Sequence, residues 1–305
     1  MKYLITGCFG FVGAYLVEAI YRAEPDAEIL AVDRIPAPVG FPAITRSAVL
    51  DLLDLEAIAA VITREQPDRL VHLASLSSVG LSWREPITSF TNNTNIFLNV
   101  LECVRRHSPS TRVLSIGSSE QYGLVTEADL PLRETAPQRP LSPYAVARVA
   151  QEHLGEVYVR GYGLDLVHTR SFNHVGAGQS AQFVVSGLAK QFAEGTRIRV
   201  GTTSVVRDFL DVRDVVAAYL ALLDHGVRGE AYNICSGRGV SIAQVIEMLA
   251  EVAQVTPQIE IDSTLVRPVE NAIVVGDHSK ITAAVGWQPT IPLETALRGV
   301  YAFWR

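Results

Sequence analysis

The chain has 305 residues, enough for one large α/β domain or two smaller ones around a sizeable core. Apolar residues make up 48% and charged residues 19%, an ordinary soluble profile, and the formal net charge of −6 argues against nucleic acid or an anionic membrane as the main partner. No run reaches the length of a membrane span, and Met1 leads straight into a strand-like KYLIT, so neither a membrane helix nor a signal peptide is expected. Cys8, Cys103 and Cys235 are scattered without metal-like spacing, which predicts free thiols, a cytoplasmic chain and no metal.

In chain order, short apolar runs at Tyr3–Thr6, Ile29–Val32, Ala48–Leu50, Leu70–Leu73, Val113–Ile116 and Asp165–Thr169 read as strands. Helical periodicity fills the gaps, at Val12–Ala23, Leu55–Glu65, Thr88–Arg106 and Pro143–Arg160. Continuous apolar strands alternating with helices predict a doubly wound parallel sheet in an α/β fold. The proline clusters at Ile35–Pro42 and Leu130–Pro143 read as surface loops. After about residue 170 the elements shorten, and a smaller mixed α/β C-terminal domain is expected to close over the strand ends. The expected division is residues 1–170 with about 204–234 in the first domain, and about 171–203 with 235–305 in the second.

TGCFGFVG (6–13) leaves the first strand and opens the first helix. Gly7, Gly10 and Gly13 allow a tight turn and a close backbone approach to a pyrophosphate, which the helix N-terminus attracts through its free N–H groups. The spacing is G-x-x-G-x-x-G. Asp33 ends the next strand, twenty residues beyond Gly13, where a carboxylate can take adenosine ribose hydroxyls. Its charge favours NAD(H), whereas the adjacent Arg34 suits the 2′-phosphate of NADP(H), so both cofactors stay open. Asp51 either accepts from the adenine amino group or caps a helix.

SPYAVAR (142–148) begins a helix, with Ser142 as N-cap and Pro143 in the first turn. Tyr144 and Arg148 therefore lie one turn apart on one face. SIGSSEQYG (115–123) runs off the fifth strand, at the end of the sheet where ligands sit. Ser118 and Tyr144 can thus converge on one carbonyl oxygen.

TGCFGFVG, HLAS (72–75), GSSEQYG (117–123) and SPYAVAR together resemble the extended short-chain dehydrogenase/reductase family of nucleotide-sugar enzymes. RSFNHVGAGQ (170–179), VVRDFLDVRD (205–214), YNICSG (232–237) and VRPVE (266–270) continue the likeness across nearly the whole chain. Within the family, these elements are most similar to reductases of GDP-6-deoxy-4-keto-mannose, with GDP-mannose 4,6-dehydratases next. The resemblance implies a Rossmann-like NAD(P)-binding domain, a GDP-sugar substrate and a homodimer. It implies cofactor contacts at Phe9, Phe11, Val12, Leu52, Leu73, Ala74 and Ser75. Ser118 and Tyr144 take the catalytic positions, and Glu120 matches the base of dehydratases. The serine at 119 occurs in GDP-mannose dehydratases too, so Glu120 does not separate reductase from dehydratase. An NAD(P)-binding regulator with a decayed site is a third reading, which intact Ser118, Glu120 and Tyr144 oppose.

On the substrate side, the resemblance implies Asn173, Arg207 and Arg267 near the sugar diphosphate, Phe183, Val184 and Lys190 on the helix beside the base, and Ser77 and Glu270 as further substrate contacts. Salt bridging is the competing reading for both arginines, and a satisfied turn residue is the one for His174. The chain departs from the family in two places. Ile96-Phe97 replace a small pair on a helix that usually forms the dimer interface. Arg148 replaces a lysine that bonds the nicotinamide ribose and stabilises the tyrosine's charged form. A unit charge at about 4 Å and an effective dielectric near 20 is worth roughly 4 kcal/mol at most, for either cation. Shape is the difference, a planar fork for a compact ammonium, and reduced but real activity is expected.

Overall fold

The computed structural model describes residues 1–266 and 271–305. Arg267 and Glu270 lie outside the described residues.

The first half builds six parallel strands: β1 (Lys2–Thr6), β2 (Glu28–Asp33), β3 (Arg46–Val49), β4 (Arg69–His72), β5 (Arg112–Ser118) and β6 (Leu166–Ser171). After β7 (Asn173–Val175), β8 (Arg197–Val200) and β9 (Val206–Asp211), β10 (Ala231–Ile234) returns to this sheet as its seventh strand. The order is β10-β6-β5-β4-β1-β2-β3. The chain moves outward from β1 to β3, then crosses back to β4 on the other side of β1. That reversal opens a crevice beyond the ends of β1 and β4, where an α/β sheet binds its ligand.

Helices cover both faces because the central strands are apolar on both sides. One face carries α1 (Phe11–Ala23); the other carries α2 (Leu55–Glu65), the short α3 (Val79–Arg84), α4 (Pro86–His107) and α5 (Pro143–Tyr162). Asp54 caps α2 and Ser142 caps α5, each accepting from a backbone N–H three residues on. In the second lobe, α6 (Val184–Glu194) packs with β8 and β9. The chain then forms α7 (Val212–His225), which joins α1 on the large sheet. The remaining elements are β11 (Gly239–Ser241), α8 (Ile242–Ala253), β12 (Gln258–Ile261), β13 (Ile273–Val274), α9 (Ser279–Val285) and α10 (Leu293–Trp304). Strands β11, β9, β13 and β7 make one small sheet, β12 and β8 another, and α6, α8 and α10 enclose a separate apolar core.

The expected strands are all present, with shifted ends. β6 runs two residues further than its apolar pattern, because Arg170 and Ser171 find buried partners in Glu152 and Tyr219. The bulk at Ile96 and Phe97 turns inward and not toward an interface. Phe97 is fully buried against the His72 ring, and Ile96 is nearly so.

Candidate active site

A cleft of about 1120 Å³ lies between the lobes, over the crevice at β1 and β4. Its inner end is the glycine loop. Gly7 has φ +67°, a conformation that favours glycine, and a Cβ there would lie 2.6 Å from the Ala74 backbone. A Cβ on Gly13 would lie 1.8 Å from the Cys8 carbonyl oxygen, so α1 can start this close to β1 only with glycine. This open backbone cradle at a helix N-terminus fits the pyrophosphate of a dinucleotide. Gly13→Ala is expected to cost at least about 3 kcal/mol, since backbone and not a movable side chain blocks the methyl. Urea unfolding measures this directly.

Gly10, Phe9, Phe11 and Val12 line the same end, as do Asp33, Arg34, Asp51 and Leu52. Asp33 Oδ2 accepts from the Phe9 N–H (3.0 Å) and Oδ1 from the Arg34 N–H (2.7 Å), so its carboxylate is fixed against the loop. Asp51 caps no helix, since Asp54 does; it accepts from the Leu53 N–H at 2.9 Å in a local turn. Leu73, Ala74, Ser75 and Ser77 also line the cleft.

Ser118, Glu120, Tyr144 and Arg148 all line this cleft. Ser118 Oγ accepts from the Glu120 N–H at 3.2 Å, which caps a 3-10 turn over Ser119–Tyr122 and leaves the hydroxyl hydrogen available as a donor. Arg148 Nε donates to Tyr144 Oη at 3.1 Å, and its guanidinium lies 5.1 Å from the tyrosine ring centroid. Both side chains are nearly buried, at 4% and 6% exposure, so their mutual geometry is held by packing.

His72 sits beneath them with no exposed nitrogen. Its Nδ1 is 2.9 Å from Thr6 Oγ1, and Nε2 has no hydrogen-bond partner among the described residues. Burial first, and then the Arg148 charge, pull its pKa down to about 3. Its folded-state value thus lies below the ordinary 6.5, so this contribution to stability is complete above pH 6.5 and fades as pH falls. Between pH 7 and 4.5 the protein is expected to lose roughly 3 kcal/mol that a His72→Asn variant does not lose. Urea unfolding of both proteins at the two pH values checks this.

The network below the site was not anticipated from the sequence. Arg148 Nη1 donates to the Ile116 carbonyl at 2.9 Å and to Gln151 Oε1, and Nη2 donates to Ser75 Oγ. Ser75 donates to Asn93 Oδ1 at 3.2 Å, and Asn93 is fixed by the backbone of Leu76. On the serine side, Gln121 Oε1 accepts the Ser118 N–H at 2.9 Å while its Nε2 donates to Glu152 at 2.6 Å. Glu152 also takes Arg170 at 2.6 Å and lies 3.1 Å from His168 Nε2. The signal for Gln151 was its place three residues after Arg148 and seven after Tyr144, on the same helix face.

The outer cleft holds Asn173, Phe183, Val184 and Arg207. Arg207 Nη1 donates to the carbonyls of Val206 and Asn271, both at 2.9 Å. Two of the carboxylates that compete for it are engaged elsewhere: Asp208 accepts from Ser236, Gly237 and Gly276, and Asp211 pairs with Arg213. Lys190 does not line the cleft in this structure. Residues 184, 187, 188 and 191 form the cleft face of α6, and Lys190 turns off it toward Glu194 (3.6 Å) and the Trp304 ring (5.4 Å). His174 is a satisfied residue: Nδ1 donates to the Phe172 carbonyl at 3.0 Å, and the ring lies parallel to Phe11. Tyr15 adds a bond to the Ala177 carbonyl at 2.8 Å, tying the glycine loop's helix to the second lobe.

Comparison with known proteins accords with this geometry. The chain is 35% identical to GDP-6-deoxy-D-mannose reductase of Pseudomonas aeruginosa, over 99% of this chain and 97% of that one. It is 28% identical to GDP-6-deoxy-D-talose 4-dehydrogenase of Aggregatibacter actinomycetemcomitans, over 94% and 92%. Among solved structures, RMD from Pseudomonas aeruginosa complexed with NADPH superposes with a TM-score of 0.88 at 35% identity, covering 99% of this chain and 98% of that one. UDP-glucose 4-epimerase from Thermotoga maritima with UDP-glucose superposes at 0.92 and 25% identity, covering 100% and 98%. The family model described as GDP-mannose 4,6 dehydratase matches residues 4–300, and the chain belongs to that family within the extended short-chain dehydrogenase/reductases.

Proposed function

We propose that the protein reduces the C4 ketone of a GDP-6-deoxy-4-keto-hexose with NAD(P)H, giving a GDP-rhamnose type of product. The observation that carries this is the Tyr144–Arg148 contact in a cleft that Ser118 and the glycine loop also line. The likeness to GDP-6-deoxy-D-mannose reductase supports the choice of sugar and base.

The dihydronicotinamide, when bound, supplies the hydride. Tyr144 gives its phenolic proton to the developing C4 alkoxide, and Ser118 donates a hydrogen bond to the same oxygen. Arg148 faces the phenolate left behind, so charge forms where a fixed cation already stands. Solvent returns the proton to Tyr144 before the next turnover. Asn173 and Arg207 suit the diphosphate, and Phe183 and Val184 the base. Holding the nucleotide far from the reacting carbon orients the ring.

One rival is a 4,6-dehydratase or epimerase that recycles bound NAD⁺, for which Glu120, lining the same cleft, would serve as base. The test follows 340 nm absorbance with GDP-4-keto-6-deoxymannose, using NADH and NADPH separately. A substrate-dependent fall is expected; no fall, together with conversion of GDP-mannose at constant absorbance, would replace the reductase by the dehydratase. We also propose a cytoplasmic homodimer. Exposed Ile87, Phe90 and Leu98 on α4, with Val146 and Val157 on α5, support the pairing surface, and three free buried thiols support the compartment.

A further inference from the structure

Arg148 is held more completely than a cation that only meets a cofactor requires. A guanidinium has five N–H donors in one plane. Four are engaged within the protein: Nε on Tyr144, both of Nη1 on the Ile116 carbonyl and Gln151 Oε1, and one of Nη2 on Ser75. Gln151 is itself immobile. It is fully buried, and its Nε2 donates to Ser115 Oγ at 2.8 Å and to the Ile116 carbonyl at 3.0 Å. Ser115 Oγ lies in turn 2.9 Å from His168 Nδ1.

We infer that Gln151 is a positioning residue that, with Ser75 and the Ile116 carbonyl, forms a seat shaped for a guanidinium and through it sets the orientation of Tyr144. Acceptors for Nη1 and Nη2 stand at different corners of the planar fork. A single ammonium nitrogen at this position cannot satisfy both corners and Tyr144 together. Arginine and glutamine are therefore a matched pair. The arginine is not a weakened substitute for lysine, and Arg148→Lys lowers function.

The inference rests on the proposed reductase reading, and its test separates the two. Wild type, Gln151→Met, Arg148→Lys and the double variant are compared for kcat and KM on GDP-4-keto-6-deoxymannose, and for NADPH affinity by fluorescence. Wild-type turnover decides the reductase reading alone. With turnover present, Gln151→Met is expected to lower kcat about tenfold with sugar KM within twofold, and Arg148→Lys to lower kcat by tenfold or more. In the lysine background Gln151→Met should change kcat by less than threefold, because its partner is gone. Equal effects of Gln151→Met in both backgrounds, or full kcat in the folded single variant, would overturn the seat. If wild type has no turnover, NADPH affinity is read across the same cycle, with the same non-additivity expected and additivity overturning the inference. Should Gln151→Met not fold, Arg148→Lys decides: wild-type kcat, or wild-type NADPH affinity where kcat cannot be read, contradicts a seat specific for guanidinium.

Discussion

Tyr144→Phe is expected to lower kcat by about 10²–10⁴-fold while NAD(P)H still binds within about threefold. The ring is nearly buried and keeps its packing in the variant, so the change is confined to one hydroxyl. That hydroxyl accepts from Arg148 Nε. Its removal leaves one N–H of a buried guanidinium without its partner, which costs about 1–3 kcal/mol of stability and not the fold. Steady-state rates at 340 nm beside cofactor fluorescence distinguish lost chemistry from lost binding. A fall of less than threefold in kcat would remove Tyr144 as the proton donor.

The second large effect is on stability. Glu152→Gln is expected to destabilise the protein by about 3–5 kcal/mol, because Arg170 would keep its buried charge and lose its counter-charge. Burial opposes ionisation of Glu152, but His168 and Arg170 outweigh it and hold the carboxyl well below the usual carboxylate range. A depressed carboxyl contributes above its unfolded-state pKa and loses that contribution as pH falls. The gap between wild type and variant should therefore be full at pH 7 and narrow below about pH 4.5. Replacing Glu152 and Arg170 together with methionine should cost less than Glu152→Gln alone, since no lone charge remains. Urea unfolding at pH 7 and pH 4 measures all three. Because Gln121 bonds both Glu152 and the Ser118 N–H, residual activity of the single variant should also fall.

Much of this molecule was legible in the sequence for a physical reason. Strands buried on both faces must be apolar throughout, and that pattern exposed β1, β2, β4 and β5 without further information. The glycine loop was legible because only glycine permits the approach at positions 7 and 13. Tyr144 and Arg148 were placed on one face by helix geometry, and their side chains do meet.

What escaped depends on partners distant in sequence. Arg170 and Ser171 look like the end of a strand, yet burial with Glu152 and Tyr219 extends β6 through them. Lys190 lies on α6 one residue off the face that lines the cleft, where Gln191 stands. Ile96 and Phe97 read as an altered interface, but α4 turns them toward the sheet. Gln151 carried no chemistry of its own to single it out; its meaning appears only when Arg148, Ser115 and Ile116 are seen around it.

The central claim is hydride transfer to C4 of a GDP-bound keto sugar with the proton supplied from Tyr144. It is tested most directly by incubating the protein with GDP-4-keto-6-deoxymannose and NADPH or NADH deuterated at the transferred position, then locating the label by NMR and mass spectrometry. The account predicts a product one mass unit heavier with deuterium on C4, and almost none from Tyr144→Phe in the same time. A product without label at C4, or no reduced sugar from folded wild-type protein with either cofactor, would contradict it.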